Sequence, residues 1–269
     1  MILVYFALFS AGAGIGASAA GLNIWQALLV CFGAFLGINL LYVLFWYAVS
    51  FTVDRDKPIE KVRPIYPRGC ASVAGWLCAW GGVRTAVNGM EKLPADSRFL
   101  LVCNHRSMFD PIVTEYQLRR YTLAFVSKPS NLMIPGISKL AVGAGFVAIN
   151  RENDREALKS ILLAADYLRR DFCSMAIYPE GTRSKTGELG PFHAGSFKIA
   201  QRANVPVVVA SIRGTELVSR HFPFCPTHVT LDILDVIPAE KVKAMSTQEL
   251  SQYCRDEIAR SLGTAEAAA

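Results

Sequence analysis

The first 53 residues contain no Asp, Glu, Lys or Arg. A stretch of that length without charge is excluded as the solvated coat of a water-soluble domain. Other things are missing too. Seven cysteines are present (Cys31, Cys70, Cys78, Cys103, Cys173, Cys225 and Cys254), but no two stand at CxxC spacing. The chain therefore offers no metal-ligand set and no disulfide framework, and its thiols are expected to be free and buried. Histidine is scarce, with four in 269 residues. The sequence GxSxG is absent, which removes the nucleophile elbow of an α/β hydrolase. GAGIGA at 12–17 matches GxGxxG/A, but the acidic partner expected about 20 positions later is lacking, since the first charge is Asp54. No basic segment precedes the first apolar run, which argues against a cleaved signal peptide.

What is present begins with two apolar runs, 2–20 and 24–51, separated by Gly21-Leu22-Asn23. Roughly 20 apolar helical residues cross a bilayer core. Two antiparallel spans, or a hairpin dipping into one leaflet, fit these runs. Gly12 and Gly16, and Gly33 and Gly37, stand at the GxxxG spacing of packed membrane helices. Arg55, Lys57, Lys61, Arg63 and Arg68 follow the second run, which puts residues 54 onward on the cytoplasmic face by the positive-inside rule. The chain's net charge of +6 resides wholly beyond residue 53. That balance suits anionic partners such as lipid headgroups, phosphorylated substrates, coenzyme A or nucleic acid. Residues 70–90 form an apolar, Trp-bearing segment, read either as interfacial or as a helix buried against the following domain. The expected organisation is 1–53 as membrane-anchoring helices, 54–91 as linker and interfacial segment, and 92–269 as the catalytic α/β domain.

From about residue 92 strand and helix patterns alternate. Strands are expected at Phe99–Cys103, Gly145–Ile149, Ser174–Tyr178, Val205–Ser211 and Val229–Val236. Helices are expected over Arg155–Arg170, over Ser196–Arg202, and from the capping box Ser246-x-x-Glu249 to Gly263. The fold class is α/β: a mixed, largely parallel sheet flanked by helices, preceded by the transmembrane or membrane-dipping hairpin.

The chemistry gathers at strand ends. The first strand runs into Asn104-His105-Arg106-Ser107-Met108-Phe109-Asp110-Pro111. On one continuous helix His105 and Asp110 would diverge by about 140°. They meet if His105 ends the strand and Asp110 lies in the first turn of the next helix, where Pro111 is well placed. The carboxylate would then take the Nδ1 proton of His105 and leave Nε2 as a general base. Such a base would activate a substrate hydroxyl toward an acyl thioester, with the oxyanion held by backbone N–H groups at a helix start. A second strand ends in Pro179-Glu180-Gly181-Thr182-Arg183-Ser184, where Gly181 permits a sharp turn and Arg183 offers a fork for phosphate. Glu180 would hold that fork or bind a substrate hydroxyl. Arg151 follows a third strand. With Lys128, Arg151 and Arg183 could neutralise a phosphate dianion.

NHRSMFD (104–110), FVAINRE (146–152), YPEGTRS (178–184) and VPVVVA (205–210) together resemble the glycerolipid acyltransferases in order and spacing. The resemblance covers about residues 90–215. It implies acyl transfer to 1-acyl-sn-glycerol 3-phosphate, giving phosphatidic acid. The implied catalytic residues are His105 and Asp110. The implied substrate-binding residues are Lys128, Arg151, Glu180, Gly181, Thr182 and Arg183. The implied partners are lysophosphatidic acid, acyl-CoA or acyl carrier protein, and membrane lipids, with no nucleic acid, no metal and no cofactor. Where many members carry Phe-Lys-x-Gly after the third motif, this chain has Phe192-His193-Ala194-Gly195. Three other readings stay open on the residues alone. One is acylation of glycerol 3-phosphate or another lysophospholipid. Another is a non-catalytic lipid-binding adaptor, and the last is an esterase using Ser107.

Overall fold

A computed structural model describes residues 2–55, 59–133, 137–150, 153–184 and 187–266. Two long helices open the chain, α1 (Ile2–Ala19) and α2 (Ile24–Ser50). The break between them forms as expected. The Asn23 side chain accepts the Gln26 N–H at 3.0 Å while the Gln26 side chain accepts the Asn23 N–H at 3.0 Å, a reciprocal cap that starts α2. Both helices are long and apolar enough to cross a membrane. The packing glycine differs from expectation. Gly12, Gly16, Gly33 and Gly37 face open space, whereas Gly14 is buried and a Cβ there would sit 3.0 Å from Cys31. Ser10 and Gly14, one turn apart and both buried, form the stripe of α1 that faces inward.

Helix α3 (Ile65–Trp80) runs back along α2 and fastens it. Tyr42 Oη meets Ser72 Oγ at 2.7 Å. Asn39, buried in the middle of α2, accepts from Trp76 Nε1 at 2.9 Å and Trp80 Nε1 at 3.2 Å. The two tryptophans thus turn their polar edges to α2. The segment read as one unit over 70–90 is divided at Gly81–Gly82. Strand β1 (Val83–Asn88) follows and already belongs to the sheet. It is an edge strand, and its alternating exposure turns Arg84, Ala86 and Asn88 to solvent.

The remaining elements are β2 (Leu100–Cys103), α4 (Phe109–Gln117), β3 (Leu123–Ser127), α5 (Ile137–Gly143), β4 (Val147–Ala148), α6 (Asp154–Arg169), β5 (Ser174–Ile177), α7 (Lys198–Ala203), β6 (Val207–Arg213), α8 (Val218–His221), β7 (Thr227–Ile237), α9 (Ala239–Ala244) and α10 (Thr247–Glu266). The seven-stranded sheet has the order β1-β7-β6-β2-β5-β3-β4. All neighbours are parallel except β6 and β7, so the expected mixed, largely parallel sheet is the one that forms. Residues of α6, α7 and α10 cover one face and residues of α3, α4 and α8 the other. Strand β3 was not anticipated. It is a five-residue run with no turn signal before it, and it is buried for three residues. Strand β4 is shorter than expected, and Gly145 takes a left-handed turn just before it. The capping box forms, with Glu249 accepting from Ser246 N–H at 2.7 Å and Ser246 from Glu249 N–H at 3.2 Å, but α10 continues through Gly263.

The order of strands decides where a site can be built. From β2 the chain crosses to β3, beyond β5. From β5 it crosses back to β6, on the other side of β2. Loops leaving the carboxyl ends of β2 and β5 therefore part and open a crevice between them.

Candidate active site

His105 lies two residues past β2, and Asp110 is in the first turn of α4. The strand-to-helix break brings the pair together: Nδ1 of His105 is 2.8 Å from Oδ2 of Asp110. Asp110 is wholly buried, and its surroundings hold it in place. Oδ2 also accepts the backbone N–H groups of Arg106 at 2.6 Å and Ser107 at 2.7 Å. Oδ1 accepts the Thr215 hydroxyl from the turn after β6. Four donors converge on one carboxylate, fixing its orientation and hence the tautomer of the ring it faces. Nε2 of His105 has no partner among the described residues, and the ring is about one-fifth exposed (19%).

Two further contacts position the imidazole. The Tyr178 ring stacks on it with centroids 4.4 Å apart, and Phe125 stacks behind Tyr178 at 6.1 Å. Burial pushes the Tyr178 phenol well above its ordinary range, so the ring stays neutral beside the histidine. Asn104 is also fully buried. Its side chain donates to Ile212 O and accepts from Ile212 N–H, both at 2.8 Å, tying the end of β2 to β6.

Glu180 stands elsewhere than its expected role requires. Oε1 accepts the backbone N–H of His105 at 2.7 Å, and Oε2 accepts that of Gly190 at 3.0 Å. Both oxygens thus serve backbone N–H groups, and no ion pair with Arg183 forms among the described residues. Burial raises its carboxyl above the usual range, while the two backbone donors pull it back down. Gly181 supplies the expected turn, with φ +72° and its N–H on Tyr178 O at 3.0 Å. That turn carries Thr182 and Arg183 outward, where both are exposed. Arg183 makes no hydrogen bond or ion pair with the described residues. Lys128, just past β3, is likewise exposed. Arg151 lies outside the described residues.

At the start of α4 the backbone donors are already engaged. The N–H groups of Arg106 and Ser107 serve Asp110, and that of Phe109 serves Ser107 Oγ at 3.1 Å. Ser107 thus acts as a local cap. Arg106 reaches sideways to Gly187 O at 2.7 Å and lies 3.8 Å from Glu216. All seven cysteines are free, but only Cys78, Cys103, Cys173 and Cys254 are buried as expected, whereas Cys31 and Cys70 are partly exposed and Cys225 is exposed; burial holds Cys103, behind the site, well above its ordinary range. Among the described residues no cluster could hold a metal ion.

Sequence reasoning missed Thr215, Asn104 and Tyr178. Tyr178 had a visible signal, since it immediately precedes the Pro-Glu-Gly-Thr-Arg turn. Thr215 had none, because it lies 105 residues from its partner.

A chain with this geometry has known counterparts. Residues 84–213 match the acyltransferase family model. The 1-acyl-sn-glycerol-3-phosphate acyltransferase of Borreliella burgdorferi is 26% identical over 208 residues, covering 74% of this chain and 79% of that one. The BAT2 chloroplastic enzyme of Brassica napus, of the same name, is 31% identical over 189 residues, covering 69% of this chain and 53% of its own length. The acl-2 protein of Caenorhabditis elegans, given that name provisionally, is 29% identical over 67% of this chain and 65% of its own. The chain thus spans only about half to two-thirds of some of its relatives. The crystal structure of the lysophosphatidate acyltransferase PlsC from Thermotoga maritima shares the fold, with a TM-score of 0.62 and 24% identity over 85% of this chain and 96% of that one. The four motifs and the family model thus agree over one stretch: residues 84–213 match the acyltransferase family model, and the chain is similar to proteins named 1-acyl-sn-glycerol-3-phosphate acyltransferase.

Proposed function

We propose that the chain transfers a fatty acyl group from an acyl thioester, acyl-CoA or acyl carrier protein, to the sn-2 hydroxyl of 1-acyl-sn-glycerol 3-phosphate, giving phosphatidic acid. The observation that carries this reading is the pairing of His105 Nδ1 with the buried Asp110 at 2.8 Å while Nε2 stays open. Nε2 takes the proton of the acceptor hydroxyl as its oxygen attacks the thioester carbonyl. The tetrahedral intermediate collapses with cleavage of the C–S bond, and the proton on Nε2 passes to the departing thiolate. Asp110 stabilises the imidazolium between those steps. Proton transfer of this kind contributes about 10²–10⁴-fold. Neither Ser107, held by Phe109 N–H, nor any metal is needed. Arg183 and Lys128, both exposed, and Arg151 bind the acceptor phosphate. Gly181 and Thr182 shape the turn that presents Arg183. Glu180 positions His105 through the backbone.

Access to a lipid substrate follows from the hairpin. Phe35 and Asn39 of α2 lie against Trp80, the last residue of α3. Residues 24–34 project beyond that level. Eleven helical residues span about 16 Å, about half of a ~30 Å hydrocarbon core. A hairpin seated in one leaflet therefore fits better than two full spans. It brings the active-site edge of the sheet to the membrane surface, because α3 ends where β1 begins, next to the start of β7. The cations Arg55, Lys57, Lys61, Arg63 and Arg68 assign that surface to the cytoplasmic face. In this reading 1–53 anchor the protein, 54–91 link and lie at the interface, and 92–269 carry the chemistry, with β1 completing the sheet.

The test offers purified full-length protein in vesicles either lysophosphatidate or glycerol 3-phosphate, each with acyl-CoA or acyl carrier protein as donor. Product lipid and thiol release are followed together. Phosphatidate formed from lysophosphatidate supports the proposal. Transfer only to glycerol 3-phosphate would move the assignment to that acceptor, and no transfer with any pair would end it.

A further inference from the structure

Between α8 and β7 the chain runs Phe222-Pro223-Phe224-Cys225-Pro226, and all five residues are exposed. Phe224 is 90% exposed and Phe222 49%. This is not a loose loop. Phe222 N–H bonds to Val218 O, while Phe224 N–H and Cys225 N–H both bond to His221 O. His221 Nδ1 lies 3.0 Å from Thr227 Oγ1, closing the base of the turn. The backbone is ordered so as to hold two phenylalanines outward, where neither contributes to the core. A rigid turn that presents aromatic side chains to solvent marks an interaction surface.

Its position says what covers it. Thr227 N–H bonds to Gly82 O, so the loop lies at the end of α3. Trp80, 37% exposed, stands two residues before Gly82 and is bonded to Asn39 of α2. A Cβ at Gly81 would lie 3.2 Å from both Phe109 and Val218, which places Met108, 62% exposed, beside the same patch. These groups share the sheet edge that carries His105, at the level where the hairpin leaves the domain. From Val218 to His228 there is no acid, while Arg220, His221 and His228 are present. Aromatic tips flanked by cations are suited to the headgroup layer of an anionic bilayer.

We propose that the Phe222–Pro226 loop is a second membrane contact, which seats the active-site edge on an anionic lipid surface beside the hairpin. The inference rests on the membrane placement given above. Two anchors on one edge fix the tilt of the domain, which one hairpin alone would leave free. A fixed tilt keeps the crevice between β2 and β5 facing the layer that holds the acceptor hydroxyl.

The test uses the full chain with Cys31, Cys70 and Cys225 replaced by serine. A single cysteine is introduced for an environment-sensitive fluorophore as Phe224→Cys, as Leu29→Cys on the hairpin, or as Lys243→Cys on the distant α9. Each protein meets phosphatidylcholine–phosphatidylglycerol vesicles carrying nitroxide lipids quenching at shallow or deep positions. The expected result is shallow quenching at position 224, deep quenching at 29 and none at 243. Quenching at 29 with none at 224 would overturn the loop's role and leave the hairpin reading intact. No quenching at 29 or 224 would overturn both. In parallel, the double variant Phe222→Asp/Phe224→Asp is expected to bind vesicles about tenfold more weakly. It should keep its turnover on detergent-dispersed acceptor. Unchanged vesicle binding would also overturn the proposal.

Discussion

Replacing Glu180 distinguishes a strut from a ligand. Its oxygens accept from His105 N–H at 2.7 Å and Gly190 N–H at 3.0 Å, and the residue is 7% exposed. In Glu180→Gln the amide keeps one acceptor oxygen, and its NH₂ group faces the other backbone donor. One buried N–H is left unpaired, at a cost of about 1–3 kcal/mol. Relief of the carboxylate's desolvation, seen in its raised pKa, offsets part of this. A net loss of about 1–2 kcal/mol lowers the thermal midpoint by roughly 2–8 °C for a domain of this size. The donor that loses its partner adjoins the His105 ring. A displacement approaching 1 Å there costs up to about 100-fold in turnover. The account expects kcat to fall about 10- to 100-fold, with KM for lysophosphatidate nearly unchanged. Steady-state kinetics and thermal melts of the same detergent-purified samples supply both readings. A large rise in KM with an unchanged midpoint would refute the reasoning and return Glu180 to the substrate.

Other perturbations test other parts of the site. Thr215→Val removes the hydroxyl donor on Asp110 Oδ1, which should cost about 1–2 kcal/mol of transition-state stabilisation; kcat should drop about 5- to 30-fold, with Thr215→Ser restoring most of it, and equal activity of all three proteins would contradict the role. Arg183→Ala should raise KM for a phosphate-bearing acceptor about tenfold or more while leaving KM for the thioester alone, as substrate titrations would show. Glu115, in α4, is buried, and burial alone raises its carboxyl well above the ordinary value. As pH rises past the ordinary carboxyl range, the unfolded chain ionises while the folded one stays protonated. Wild type then loses stability by up to about 1.4 kcal/mol per pH unit until the folded pKa is reached. Glu115→Gln cannot ionise, so its melting midpoint should gain on wild type as pH is raised from about 5 to 7.5; a difference independent of pH would contradict this.

The pairing of His105 with Asp110 was legible because its signal is local. A strand, a polar turn and a proline in the first helical turn force His105 and Asp110 together, and they lie 2.8 Å apart. The strand that leads into the second turn, expected to Tyr178 and ending at Ile177, and the turn at Gly181 were legible for the same reason. What the sequence hid is long-range. The link from Glu180 to His105 requires β5 to lie beside β2, and that from Thr215 to Asp110 requires β6 on the other side. No spacing encodes either neighbour. Strand β1 escaped notice because only Val83 and Val87 on its inner side are strongly apolar and an apolar helix precedes it. The GxxxG pairs misled because spacing fixes a stripe on a helix without saying which stripe faces inward, and Gly14 is the one that does.

The central claim is that His105 is the base for transfer to a lipid hydroxyl, with no protein nucleophile. The most direct measurement compares wild type, His105→Ala and Ser107→Ala for acyl transfer from labelled thioester to lysophosphatidate in vesicles, quantifying phosphatidate, free fatty acid and released thiol. The account predicts equal amounts of phosphatidate and thiol from wild type. It predicts a loss of about 10²–10⁴-fold in His105→Ala and only a modest loss in Ser107→Ala. Free fatty acid released without acceptor and abolished by Ser107→Ala, or phosphatidate formation that survives His105→Ala, would contradict it.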